Sequence, residues 1–411
     1  MRFSFVTLAC CLLSAQCCAA ACIAVERTSS ERVTVEQLEK IVAQEHSDSD
    51  KKATQRLDGI ELTERLSDAR LAHMKEQLPG SESQQKLLVI ADASEFLNLP
   101  AADILHRPAP DLATQGKIIS RAADFVLATV QKMPNFMATR VTSRFRDFTP
   151  TLNAGDTFVV TPDRYHLSDR DTAPVRYRNG KEEADVAQGK KSNVALAQSP
   201  GVTNLGFFGP LLGVVMSDIL AGRIGWGHWE NGASGPVAVF RYVVLKDHSK
   251  FTIYYCCYLD RDAASSESEL APPYHGEIAI DPESGDVLRL VVEAELKPPS
   301  LISRADVFIE YGAIQIGKRT YICPLKSVSI ATGAVHEAHG EINMLSSGTR
   351  QDVVSSVMHT AAPPINRNPA PGTFTGPIIS DSQVTWINDV VFEDYHVFAS
   401  EMRVVPDGGL E

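Results

Sequence analysis

Apolar residues recur at helical spacing along the first third of the chain and at alternate positions along most of the rest. The first pattern predicts amphipathic helices and the second predicts half-buried strands. Thr34 can cap a helix over Val33–Val42, with Gln37 three residues on completing a capping box. Val33 and Leu38 are placed as its hydrophobic staple. Further helices are predicted over Lys52–Ile60, Asp68–Leu78 and Gln84–Leu97. Ser67 is the cap of the second of these, and Leu66 and Leu71 are its staple. Leu99-Pro100 and "HRPAPD" break the run, and a longer helix follows over Leu112–Lys132, stopped by Pro134.

From Phe136 the period changes to two. "NFMATRVTSRFR" alternates, and Asn179-Gly180 sits between two short runs as a tight hairpin turn. Asp147–Pro174 and Gln188–Val202 read as loops, and Phe208–Gly222 as a helix lying between strands. "RIGWGHWE", "VAVFRYVVL" and "KFTIYYCCYL" read as consecutive strands. "HGEIAIDPESGDVLRL" (275–290) is a hairpin. Asp281 caps its own turn, Pro282 fixes φ, and Gly285 can take the left-handed conformation. Its two apolar sets face the same way only if a bulge shifts the register by one residue. A second hairpin turns at Gly317-Lys318, Met358–Pro377 reads as a loop, and one long strand or two close the chain. Roughly ten strands in succession, mostly hairpin-linked, predict an α+β protein: a helical region followed by a large antiparallel sheet.

The N-terminus changes this picture. Arg2, the apolar run Phe3–Ala15 and the small residues after it read as a secretory signal peptide. The expected division is then signal peptide 1–24, helical region 25–132 and sheet domain 133–411. Cys22 after three alanines also resembles a lipidation site, so the exported chain is either free or lipid-anchored at Cys22. No later segment approaches the ~20 apolar residues of a spanning helix. Five of the eight cysteines lie at Cys22 or before it, leaving Cys256, Cys257 and Cys323. Adjacent cysteines on a strand point to opposite faces, so at most one of Cys256 and Cys257 can pair with Cys323. Three free thiols fit equally well. The net charge of −12 and the lack of a basic stripe argue against nucleic acid as a partner.

From Met133 onward the chain resembles a family of secreted acidobacterial proteins. The resemblance rests on "MPNF", "VRYRNGKE", "FGPLL", "GWGHWE", "VAVFRY", "YHGEIAIDPESGDVLRL", "VFIEYGAIQIGKRTYICPL" and "NDVVFEDYHVF". Many members carry a cysteine soon after the "NF", where this chain has Met137 and Ala138, so a disulfide taken from the family does not carry over. The resemblance supplies no catalytic residues. More distantly, the strand–turn–strand around Asp281 is similar to the periplasmic lipoprotein-carrier and sigma-regulator (LolA/RseB-like) fold. That similarity implies a sheet curled into a half-barrel over helices, with an apolar concave face for lipid or an acylated protein.

The chemistry-bearing residues form no complete constellation. "VHEAHGE" is one residue short of the zinc-protease spacing, which needs both histidines on one helix face. "GASGP" has Pro236 where a nucleophile elbow needs glycine. His228 and Glu230, like Asp394 and His396, stand two apart on one strand face. Each pair could supply half of a metal or acid–base site, and His275 and Glu277 are a third candidate pair. No cofactor is implied. The expectation is an exported, non-catalytic envelope protein whose sheet holds an apolar ligand or lipidated partner. A protein-interaction module without a small ligand is the alternative, and a metal-assisted hydrolase is third.

Overall fold

The computed structural model describes residues 30–45, 48–152, 158–178, 181–184, 201–202, 210–256, 268–297, 302–334, 338–343, 373–379 and 383–397. The expected signal peptide, Cys22, Cys257 and the expected Asn179-Gly180 turn lie outside them. Four helices come first: α1 (Val35–Glu45), α2 (Asp50–Leu57), α3 (Asp68–Gln77) and α4 (Ser81–Ser94). The capping box closes as the sequence predicts. Thr34 N donates to Gln37 Oε1 at 2.8 Å, and Gln37 N donates to Thr34 Oγ1 at 3.3 Å. Helix α2 stops at Leu57, short of the predicted Ile60. Gly59 takes φ +81°, and Ile60–Leu62 (β2) instead pairs in parallel with Glu31–Val33 (β1). Ser67 makes no side-chain cap bond. Helix α4 begins three residues early because a distant carboxylate caps it: Asp50 accepts from Glu82 N at 3.0 Å and Ser83 N at 2.9 Å.

After α5 (Leu112–Lys132) the chain builds the sheet. Its strands are β3 (Phe136–Leu152), β4 (Phe158–Arg178), β5 (Lys181–Ala184), β7 (Arg223–Gly232), β8 (Gly235–Val244), β11 (Tyr274–Ile280), β12 (Val287–Ala294), β13 (Ile302–Ile316), β14 (Arg319–Ala334), β15 (Ala338–Asn343), β16 (Thr373–Ile379) and β17 (Gln383–Val397). The order is β15-β16-β4-β3-β17-β14-β13-β12-β11-β8-β7, with β5 beside β4. Pairing is antiparallel except between β16 and β4. The order runs from β15 at one edge to β7 at the other, so the sheet is open rather than a closed barrel. Helix α6 (Pro210–Ala221) falls within the predicted 208–222.

Three expectations fail here. Asp147–Pro174 is mostly strand, not loop: β4 pairs along the length of β3. Its side chains from Leu167 to Thr172 are exposed, so no apolar alternation marks it. Thr373–Pro377 and Gly201–Val202, both read as loop, are the start of β16 and the whole of β6. Ile253–Cys256 (β9) is not in the main sheet; it pairs with β6 (Gly201–Val202) and β10 (Ser268–Leu270) in a separate three-stranded sheet.

The 275–290 hairpin contains the bulge its pattern requires. Ile280 faces Val287, whereas Ala279 faces Arg289 and Ile278 faces Leu290, so Leu288 is the extra residue. Asp281 Oδ1 accepts from Glu283 N and Ser284 N at 2.8 and 3.0 Å, and Gly285 has φ +82°. Gly276 allows a close approach of backbone: a Cβ there would lie 1.9 Å from the Val291 carbonyl oxygen, the acceptor of the buried Tyr242 hydroxyl. Gly276→Ala should therefore cost about 1–3 kcal/mol by overpacking. A urea midpoint unchanged from the parent would refute that reading.

Helices cover both faces of the sheet. On one face α5 (Ile118, Ala122, Val126) and α6 (Leu212, Val215, Met216, Ile219) join a core with Phe240, Ile278, Leu290 and Ile309. Those four strand residues are cross-strand neighbours in one continuous row. Asp218 anchors α6 from within, accepting from Lys250 N at 2.7 Å and from the Tyr274 hydroxyl at 3.0 Å. On the other face α1–α4 have their own small core, including Leu38, Val42, Leu57, Met74 and Leu87. They meet the sheet through Val89 of α4, packed with Phe145, Val291, Phe308, Val328, Ile330 and Ile387.

Candidate functional site

The apolar contact around Val89 is flanked by charge. Alternation puts Arg289 and Glu310 on the sheet face toward α1–α4, and Lys326 is the next cross-strand neighbour. Signs alternate across the three strands, as cross-strand pairing favours. Because α1–α4 lie over this face, the charges are largely withdrawn from water. Two nodes result.

The first node is Glu230 on β7. Its Oε1 accepts from Arg65 Nη2 at 2.9 Å and from Arg289 Nη2 at 2.7 Å, and its Oε2 accepts from Arg289 Nη1 at 2.7 Å. His228 Nε2 lies 2.8 Å from Oε1. Glu230 and Arg65 are 7% and 5% exposed and the Arg289 side chain 14%, so two largely buried guanidiniums sit on one carboxylate, not in a surface contact. Burial alone would raise the Glu230 carboxyl. The His228 hydrogen bond and the two guanidiniums outweigh it and hold the group far below the usual carboxylate range. A carboxylate held this way is a weak base, and the chelating Arg289 fork fixes its position. Arg65 comes from the segment between β2 and α3, so the node ties the helical region to the sheet. Nearby, Glu277 accepts from Arg241 Nε at 2.9 Å, Arg241 Nη2 donates to Asn98 at 2.8 Å, and Glu277 lies 3.9 Å from Arg289.

The second node is Lys326 on β14. Its Nζ lies 2.8 Å from Asp92 Oδ1 and 3.1 Å from Glu95 Oε1, both carboxyls coming from the α4 end. Asp92 is fully buried and Lys326 is nearly so. Burial lowers the ammonium's affinity for its proton, but Asp92 and Glu95 outweigh this and raise it well above the ordinary lysine value.

Of the six residues singled out from sequence, His228, Glu230 and Glu277 come together around Arg289. His275 does not join them. It is half exposed, 3.7 Å from Glu295 and 3.9 Å from Glu293. Asp394 and His396 lie on β17, where Asp394 has φ +52° and His396 Nδ1 is 2.7 Å from the Asp394 carbonyl oxygen. That contact belongs to the bulge in the β17–β3 register. Sequence reasoning missed Arg65, Asp92, Glu95, Arg289, Glu310 and Lys326. Among the described residues, no group of three His, Cys, Asp or Glu is placed to hold a metal ion, and no helix is long and apolar enough to cross a membrane. Cys323 is a buried free thiol, which burial pushes up to about 12. The side chain of Cys256, like Cys257, lies outside the described residues.

No family model and no curated protein matches the chain. Among solved structures, the MucA/MucB complex of Pseudomonas aeruginosa contains a chain 11% identical. The match covers 65% of this chain and 93% of that one, with a TM-score of 0.20. A structure of MucB in complex with MucA(peri) gives 11% identity over 68% and 99% of the two chains, with a TM-score of 0.14. At such scores the overlap transfers no residue roles.

Proposed function

We propose that this chain is an exported, non-catalytic protein-interaction module of the cell envelope. The observation that carries the reading is the covering of the sheet's apolar face. The row Phe240–Ile278–Leu290–Ile309, where an acyl chain would lie in a half-barrel carrier, is packed against α5 and α6 of the same molecule. Filling by its own side chains leaves recognition to the exposed surface. The Glu230 node supports the non-catalytic part, because its carboxylate is saturated by two guanidiniums and a histidine rather than free to accept a substrate proton. Export rests on the residues before Ala24.

Native mass spectrometry of the exported chain, purified without detergent, tests this. The expected spectrum shows the polypeptide mass alone. A co-purifying mass that partitions into organic solvent would return the apolar-ligand reading, with α5 and α6 as a displaceable plug. Stoichiometric metal would reopen the hydrolase reading.

A further inference from the structure

The Lys326 node holds more acid than base. Around its one ammonium stand Asp92 and Glu95 of the α4 end, Glu310 as cross-strand neighbour on β13, and Asp389 on β17. The exposed Asp68 of α3 adds a further carboxyl near Glu310. Three further cations lower the carboxyls through charge alone: Arg65 acts on Glu95, and Lys75 and Arg170 act on Asp389. Asp92 and Asp389 are 0% and 3% exposed. Asp92 Oδ2 and Asp389 Oδ1 accept no hydrogen bond among the described residues.

One ammonium cannot neutralise this many buried carboxylates, and an uncompensated buried charge is strongly unfavourable. Protons complete the balance. Burial in the first place pushes Asp92, Glu95 and Glu310 each up to about 7, and it raises Asp389 as well.

We propose that this cluster is a proton-held latch between α4 and the sheet: protons shared among Asp92, Glu95, Glu310 and Asp389 keep the helical region docked, and their loss loosens it. The sign follows from linkage. A carboxyl raised in the folded state stabilises docking fully below its unfolded value, and that stabilisation is lost as pH rises through about 7. The Glu230 node has the opposite dependence and stays charged throughout that range, so it keeps the segment between β2 and α3 tethered while α4 loosens. The latch belongs to the fold and does not depend on which ligand class the molecule takes.

Hydrogen exchange on the full chain, corrected for the intrinsic rate, tests it between about pH 6 and pH 8.5. Amides of α4 should lose protection about tenfold or more across that window, while those of α5 and α6 on the opposite face hold theirs. In Asp92→Asn/Glu95→Gln the slope should flatten. Protection in α4 that does not change with pH overturns the latch. So does an equal fall in α5 and α6, or a slope that survives the double substitution. The wild-type profile decides without the variant. Should the double variant fail to fold, Glu310→Gln replaces it: a shallower slope supports the latch and an unchanged one overturns it.

Discussion

Glu230→Gln should lower the unfolding free energy by about 3–5 kcal/mol, because it removes the charge that two buried guanidiniums share. The change keeps the side chain's size, so packing is nearly conserved and the loss reports the charge. Arg65 is left in a site with 5% exposure and no carboxylate bonded to it, and Arg289 keeps only Glu277 at 3.9 Å. The cost arises from stranding these cations rather than from the intrinsic worth of the bridge. Replacing a whole buried ion cluster with apolar residues is often neutral. The pH profile is a second readout. A carboxyl held far below its ordinary value of 4.5 contributes stability that is present above that value and is lost only as pH falls through its folded value. The gap between parent and variant should thus be constant from about pH 5 to pH 9 and narrow only in acid. A loss under about 1 kcal/mol in urea unfolding would mean that water or a rearranged Arg289 compensates the charge.

Phe240→Ala should cost a similar 3–5 kcal/mol, for a different reason. The ring is fully buried at one end of the row that α5 and α6 cover, and it packs edge-on against Trp226 at 5.4 Å between centroids. Strands on either side fix the backbone, so the void cannot collapse and the cavity adds to the lost transfer energy. Urea unfolding measures the loss, and it should not vary with pH. If small apolar probes bind the variant but not the parent, the covered face holds a cavity only when one is carved into it. Binding of equal strength to both would contradict the filled face on which the proposed function rests.

What the sequence made legible was local. Thr34 and Gln37 are three residues apart, and the capping box they form needs no partner from elsewhere. The bulge at Leu288 was required by alternation on two adjacent strands, since Ile278 and Leu290 could not otherwise share a face. What stayed hidden depended on distant segments. The cap of α4 is Asp50, more than thirty residues away in sequence. Strand β4 is polar on its described outer stretch and owes its form to hydrogen bonds with β3. The site shows the same division. His228 and Glu230 could be placed on one strand face from their spacing. That the face is buried, and that Arg65 reaches Glu230 across 165 residues, could not be read. Arg289, Glu310 and Lys326 alternate with Val291, Phe308 and Val328 as an ordinary solvent face would. A helical layer over that face leaves no mark on the strands themselves.

The strand order has a consequence for how the molecule is made. Strand β3, the first of the sheet, hydrogen-bonds to β17, the last, and α4 packs on β17 as well. Contacts of such high order fold slowly, since the loop between them must close before either side is rewarded. Synthesis delivers α4 and β3 early, yet the side of each that meets β17 stays uncovered until residue 397 has emerged. Those two seams close last, so they are where the growing chain is held open longest.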